Sequence, residues 1–217
     1  MANIIAELRP GDKLPTFGQL SKERSASQPV IREAVAQLEA KGLVTVRHGD
    51  GIYVRDPDIA DISEALQMLV HFATKDARTL FVDMMEFRRF LESDATRLAA
   101  MRASPEDLSL VSAAFERGRV ARVAGNTLEV HNADLAFHST IVNASHNTLF
   151  VLMNSVIQPL MEELRRMYPK RRAETASNDH QAILEAILNR DASEAAKLAS
   201  KHVEHVNQEF SRLLFDV

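Results

Sequence analysis

Residues 14–54 constrain the fold most, because they combine two short helical patterns with two short strand patterns. The first helix is predicted to begin after Thr16, and the second after Ser27 with Pro29 in its first turn, since these residue types favour helix N-termini. Gly42 is typical of the end of a helix. The apolar stripe predicted for the second helix comprises Val30, Ile31, Ala34, Val35 and Leu38. Two strands then flank a glycine-rich turn, and this order predicts a helix-turn-helix with a hairpin wing.

A helix-turn-helix places the N-terminal end of its second helix in the DNA major groove. Ser27, Gln28 and Arg32 lie near that end, and Arg47 and His48 lie at the tip of the predicted wing. All five are candidate DNA contacts, and arginine suits a phosphate or a guanine edge. The alternative for Arg32 is a surface salt bridge with a neighbouring glutamate, Glu33 or Glu39.

Two stretches carry a family resemblance. VIREAVAQLEAKGLV, residues 30–44, is followed by a basic, glycine-rich hairpin, and this block resembles the winged-helix signature of the GntR family of bacterial transcription regulators. LRPGDKLP, residues 8–15, resembles the lead-in of that family. The resemblance implies a double-stranded operator DNA as partner. The chain departs from the family pattern at Gln28, where an arginine is usual, although glutamine can read adenine.

Charge is divided unevenly along the chain. The total is −4, but residues 1–55 hold 8 Lys/Arg and 6 Asp/Glu, whereas residues 56–217 hold 18 and 24. The net +2 of residues 1–55 supports their assignment as a winged helix-turn-helix DNA-binding domain, because neutralisation of phosphates drives binding. The excess is small, so we expect a homodimer on a palindromic operator to supply affinity and specificity.

Composition excludes several classes of protein. The sequence has no cysteine, which excludes disulfides and thiolate metal sites and suits the cytoplasm, where we expect the protein to act. No apolar run approaches the roughly 18 residues of a membrane span, so no membrane partner is expected. The N-terminus also lacks the pattern of a signal peptide.

Residues 59–217 are helical in pattern, so the predicted fold class is mainly α: an N-terminal winged helix-turn-helix followed by an all-helical bundle. Helices are predicted near residues 59–72, 77–101, 105–123, 127–143, 148–167, 178–189 and 192–215. This order resembles the FadR-like branch of the GntR family, whose effector domain is of the FCD type. The resemblance implies that residues 59–217 bind an effector, form the dimer and, as in many members, carry a metal.

Four polar residues on three predicted helices suggest a metal site. Three of them are imidazoles on apolar stripes, a set that suits a divalent ion, with zinc expected first and nickel or manganese as alternatives. The other interpretation is four independent buried polar residues. NADLAFH, DHQAILEAI and KHVEHV resemble the metal-bearing blocks of FCD domains. The matching ligand positions are Asp134, His138, His180 and His202. His131 and His205 lie one turn from two of these and are either alternative ligands or hydrogen-bond partners of a ligand.

Arg88 lies on the apolar stripe of its helix and is predicted to point inward. One interpretation is an internal salt bridge with Glu92 or Asp94. The other is a clamp on a ligand carboxylate. The arrangement of Glu86 and Arg88 resembles a pocket position in the family, which implies a small organic acid as effector.

The sequence therefore predicts a ligand-responsive transcription regulator, expected to be a repressor, and not an enzyme. A metal-dependent hydrolase or lyase is the alternative, because three histidines and an aspartate around a metal can activate water. The attached winged helix and the lack of a further general base argue against it. A third interpretation retains DNA binding but gives the metal a structural role, or makes the metal itself the effector.

Overall fold

The computed structural model describes residues 8–56, 63, 67–69, 72, 76–167 and 174–215. The chain divides into two compact units, Met1–Ile62 and Ser63–Val217. The helix predicted near residues 59–72 lies largely outside the described residues.

The first unit is a helix-turn-helix with a two-stranded wing. Its elements are α1 (Phe17–Glu23), α2 (Gln28–Ala40), β1 (Val44–Arg47) and β2 (Gly51–Val54). Helix α1 begins in a capping box. The Thr16 side chain accepts a hydrogen bond from the backbone N–H of Gln19, and the Gln19 side chain accepts one from the backbone N–H of Thr16. Gly42 follows α2 with φ +69°, a left-handed conformation that glycine adopts without a steric cost.

The wing is an antiparallel hairpin in which Val44 faces Val54 and Val46 faces Ile52. Its inner residues close a small core with the two helices. That core contains Leu14, Leu20, Ile31, Val35, Leu38, Val44, Ile52 and Val54. The prediction that Val30 belongs to the apolar stripe is wrong, because its side chain is 54% exposed. It lies at the edge of that stripe, about 100° around the helix axis from Ile31, which is buried in the same turn.

The second unit is helical throughout its described residues. Its elements are α3 (Ala77–Arg102), α4 (Pro105–Val123), α5 (Thr127–Ala144), α6 (Thr148–Met167), α7 (Glu174–Leu188) and α8 (Ala192–Phe215). The local signal is clearest at α4, where Ser104 and Asp107 form a capping box and Pro105 follows the cap. Helix α7 begins four positions before the predicted residue 178, and the bounds predicted for α4, α6 and α8 are confirmed.

Two apolar clusters hold the second unit together. One is centred on Phe137, Ile183 and Ile187, and the other on Phe81 and Met85. The first cluster is also rich in alanines, which let the helices approach closely: Ala99, Ala100, Ala103, Ala195 and Ala199. Between the two clusters, polar side chains of α3, α5, α7 and α8 meet in the interior.

In the part of the chain that is described, no helix combines the length and the apolarity that a membrane crossing requires.

Candidate metal centre and DNA-reading surface

Three histidines from three helices converge inside the second unit. His138 on α5 is 9% exposed, His180 on α7 is 5% exposed and His202 on α8 is 1% exposed. One ring nitrogen from each lies within 4.8 Å of the other two. The Nε2 atoms of His180 and His202 are 3.3 Å apart. Two nitrogens bound at about 2.0–2.1 Å to a tetrahedral ion are separated by roughly 3.3 Å, so this pair fits a shared ion.

Apolar packing explains why these imidazoles point inward. Ile183 and Ile187 follow His180 on the buried face of α7 and belong to the main core cluster. The Phe137 ring lies 4.6 Å from the His180 ring, centre to centre. His202 shares its face of α8 with Val206, which is also buried. Burial of the apolar neighbours therefore carries each imidazole into the interior.

Asp134 lies at the edge of the histidine cluster. Its Oδ1 is 3.6 Å from His180 Nε2 and 4.0 Å from His138 Nε2. The most compact group among the described residues contains the three histidines without it. Three of the four predicted ligands therefore converge, and the fourth lies beside them.

The local environment keeps two of these imidazoles neutral. Burial lowers the pKa of His180 well below its usual value; Asp134 opposes this effect, and neighbouring His138 adds to it. Burial also lowers the pKa of His202, although a hydrogen bond with Asp179 opposes it. A neutral imidazole has a lone pair to offer a metal, so the chemistry of the donors fits a cation.

At His138 the geometry shows which ring nitrogen donates. Its Nδ1 is 3.0 Å from Glu92 Oε2. Burial raises the pKa of the Glu92 carboxyl, but Arg88 and His138 lower it by more, so the pKa lies below its usual value. The carboxylate is therefore ionised and only accepts, so Nδ1 carries the donated proton. The His138 Nε2 is buried and has no hydrogen-bond partner among the described residues. Nε2 is therefore the nitrogen available to a ligand, and a metal ion bound there would satisfy it.

Arg88 is buried and forms an ion pair with Glu92, as the first of its two interpretations predicted. Asp94 instead pairs with Arg97, at 3.0 Å. Arg88 Nε donates to Glu92, whereas the buried Nη1 has no hydrogen-bond partner among the described residues. Glu86 is exposed, so of the resembling pair only the arginine faces inward.

A small pocket adjoins this arginine. Its lining includes Arg88, Glu92 and His138, together with the side-chain amides of Asn154 and Gln158 on α6. Its volume of about 20 Å³ accommodates about one water molecule. A second, smaller pocket lies on the other side of the histidines, against Asp134 and His180.

The two alternative ligands have other partners. His131 pairs with Glu162 on α6. His205 Nδ1 lies 3.0 Å from Asp179 Oδ2, and the same oxygen is 3.4 Å from His202 Nδ1. These hydrogen bonds, that of His202 first, lower the pKa of Asp179 to about 2.

Two carboxylates of this site, Asp179 and Glu92, were not predicted from the sequence to belong to it. Asp179 immediately precedes His180, which was a usable signal. Glu92 was predicted only as a candidate partner of Arg88. Each carboxylate lies against the Nδ1 of a cluster histidine, His202 and His138 respectively, an arrangement that orients imidazole ligands in metal sites.

The predicted DNA contacts are all exposed or half-buried at the surface of the first unit. Ser27 occupies the N-cap of α2, but its side chain makes no capping hydrogen bond with the described residues. Arg32 stacks on Phe17 of α1, with 4.7 Å between the guanidinium carbon and the ring centre. Glu39, one of its suggested partners, instead accepts a hydrogen bond from the Val46 amide. Gln28 lies in the first turn of the same helix.

The wing carries a second exposed basic side chain, that of Arg47. Arg47 lies over the Tyr53 ring at 4.7 Å. His48 follows in the exposed turn between the strands. Stacking on an aromatic ring orders a guanidinium without consuming its hydrogen-bond donors. Arg32 and Arg47 are therefore both held in a way that leaves donors for a nucleic acid.

Comparison with known proteins agrees with this architecture. The model of bacterial regulatory proteins of the gntR family matches residues 2–54, and the FCD domain matches residues 83–205. The Uxu operon transcriptional regulator of Escherichia coli (strain K12) is 33% identical, over 97% of this chain and 84% of its own. The HTH-type transcriptional regulator LutR of Bacillus subtilis (strain 168) is 29% identical, over 94% of each chain.

Among solved structures, Streptococcus agalactiae GntR superposes with a TM-score of 0.72 at 23% identity, covering 95% of this chain and 94% of that one. E. coli McbR/YncC has a TM-score of 0.54 at 18% identity, covering 96% and 91%. These two likenesses concern the fold. The family models and the sequence relatives are those of transcription regulators rather than enzymes. The chain therefore belongs to the GntR family of bacterial transcription regulators and contains an FCD domain.

Proposed function

We propose that this protein is a repressor that binds a palindromic operator as a homodimer and responds to a small organic acid bound beside a divalent metal ion. The observation that carries the proposal is the convergence of three buried imidazoles next to a buried arginine with an unused donor. Such a set is costly to bury unless a ligand satisfies it. We place the protein in the bacterial cytoplasm, with its operator.

His138, His180 and His202 would hold the metal, with Asp134 as the fourth ligand at the edge of the cluster. Zinc suits three neutral imidazoles and one carboxylate best, and nickel or manganese are the alternatives. When bound, the ion would supply a positive charge that attracts an acid oxygen.

Arg88 would recognise the carboxylate of the effector. Arg88, Asn154 and Gln158 line one pocket, although Gln158 Nε2 already donates to Ser139 Oγ at 2.6 Å. Because the pocket holds only about one water molecule, α3, α5 and α6 must rearrange around an acid. Binding would therefore favour a different conformation of the helical unit, which is what a sensor requires.

Names of relatives suggest the first acid to test. One relative, 30% identical over 94% of this chain, is the Putative L-lactate dehydrogenase operon regulatory protein of Escherichia coli (strain K12). L-lactate combines a carboxylate for Arg88 with a hydroxyl group that can approach a metal. It is therefore the first probe, followed by sugar acids and dicarboxylates.

Apolar side chains on the surface of the second unit support a homodimer. Helix α3 exposes Phe87, Phe90 and Met101, and α4 exposes Val120 and Val123. If these side chains form one continuous patch, it would be a candidate dimer surface. In the dimer, each winged helix would read one half-site, about 34 Å from the other. Acid and operator would then change each other's affinity by the same factor.

The experiment selects an operator from random duplexes, then measures its binding at fixed salt with and without zinc and L-lactate. We expect palindromic sites, one metal ion per chain and weaker DNA binding in the presence of an effective acid. His180→Ala should lower the metal content, and unchanged stoichiometry would refute the ligand assignment. If no acid alters DNA binding while chelation unfolds the protein, the metal is structural.

A further inference from the structure

Glu92 contacts both Arg88, which lines the small pocket, and His138 of the histidine cluster. One carboxylate oxygen pairs with Arg88 Nε, and the other lies 3.0 Å from His138 Nδ1. Arg88 and Glu92 are respectively 5% and 6% exposed. The two oxygens of one buried carboxylate therefore serve two elements, since Arg88 shares α3 with Glu92 and His138 lies on α5.

We propose that Glu92 is a positioning residue that couples Arg88 to the metal-facing nitrogen of His138. The inference rests on the proposed function and deepens it, because it assigns the contacts through which an acid bound at Arg88 would change the binding of the metal ion. Glu92 touches neither the acid nor the ion in this role; it acts through its two partners.

The first half of the route is the bond from His138 to Glu92. Donation from Nδ1 places a proton on that nitrogen and makes Nε2 the nitrogen available to an ion. The ring centres of His180 and His202 lie 5.0 and 5.2 Å from that of His138. A carboxylate in this position also makes the imidazole a better donor to a metal. Without Glu92, this contact would no longer fix either the tautomer or the orientation of the His138 ring.

The second half is the ion pair with Arg88. Because both charges are buried, each depends on the other for compensation. A carboxylate that approaches Arg88 would compete with Glu92 for the same guanidinium. Glu92 would then turn its charge more fully toward His138, so that occupancy of the pocket changes the hydrogen bond behind the metal ligand.

Zinc alone is a sufficient probe of this route. The dissociation constant of zinc is measured on the full chain by competition with a chelator for wild type, Glu92→Gln, Glu92→Leu and Glu204→Gln. Glu204 is exposed on α8, near His202, and controls for the loss of one negative charge without loss of the contact. We expect Glu92→Leu to weaken zinc binding about 10–100-fold, Glu92→Gln to weaken it less because an acceptor oxygen remains, and Glu204→Gln to leave it unchanged.

A double-mutant cycle tests the coupling itself and guards against misfolding. Glu92→Leu leaves Arg88 buried without its partner, so Arg88→Met and the double variant Arg88→Met/Glu92→Leu complete the set. If Glu92 is the link, the factor by which Arg88→Met changes zinc affinity should differ at least about threefold between the wild-type background and the Glu92→Leu background. Equal effects in both backgrounds would overturn the coupling.

Nitrogen NMR of the histidine rings supplies a readout that mere destabilisation would not move. In the metal-free wild type and in Glu92→Gln, we expect His138 to be protonated at Nδ1, whereas Glu92→Leu should show a mixture of tautomers. If wild type binds zinc but affinity and tautomer are the same in all Glu92 variants, the inference fails and the proposed metal centre stands. If wild type binds no zinc, the metal centre fails and the coupling fails with it.

Discussion

Removal of the metal should lower the thermal stability of the protein by an amount that can be worked out in advance. His138, His180 and His202 come from α5, α7 and α8, so their nitrogens meet only in the folded chain. An ion that binds the folded state alone contributes RT ln(1 + [M]/Kd), which is about 4 kcal/mol when its free concentration is roughly 1,000 times Kd. For a chain of this size, about 1 kcal/mol corresponds to about 2–4 °C, so stripping the ion should lower Tm by about 8–16 °C.

The assay is thermal unfolding followed by circular dichroism, with zinc and with an excess of chelator. His180→Gln should have nearly the same Tm in both conditions, because it lacks one of the three converging nitrogens. His146→Asn is the matched control: His146 is exposed and its φ of +50° is one that asparagine tolerates. This variant should keep the full zinc-dependent shift. An unchanged Tm of wild type on chelation, or equal shifts in both variants, would refute the reasoning.

Three further predictions concern other parts of the chain. Arg32→Ala should weaken binding to a selected operator. A loss of about 1–3 kcal/mol with relaxed specificity would indicate a base contact, whereas a salt dependence of binding lowered by about one ion would indicate a phosphate contact. Lys41→Ala, at the other end of α2, is the control and should change neither the affinity nor its salt dependence. Phe137→Ala should destabilise the helical unit by about 3–5 kcal/mol in urea unfolding, because the ring is buried among the core helices, whereas Leu149→Ala, at an exposed position of α6, should cost less than about 0.5 kcal/mol. Ser104→Ala removes a capping box and should cost about 1 kcal/mol in the same assay, and no loss would show that the cap is redundant.

Local signals explain why much of the fold was predictable. Ser104 and Pro105 mark the start of α4 within two residues, and Gly42 marks the end of α2, so neither needs information from distant parts of the chain. The inward direction of His180 was also local, because Ile183 and Ile187 define the buried face one and two turns later.

Val30 shows where periodicity fails. Its spacing places it at the edge of a broad apolar stripe, about 100° around α2 from Ile31, which is buried in the same turn. A hydrophobic pattern gives the face of a helix but not the width of that face that neighbouring elements cover.

The environment of Arg88 separates the predictable part of the site from the rest. Glu92 lies four residues after Arg88 and therefore on the same face of α3, whereas Asp94 lies six residues after it and pairs with Arg97 instead. Helical geometry alone thus selects Glu92 from the two suggested partners. It cannot show that the second oxygen of Glu92 meets His138, because that contact requires α5 to pack on α3 at one particular height. The proposed ligands can therefore be read from local spacing, whereas the contact that would connect them is a property of helix packing, and the proposed coupling between acid and metal has to be tested there.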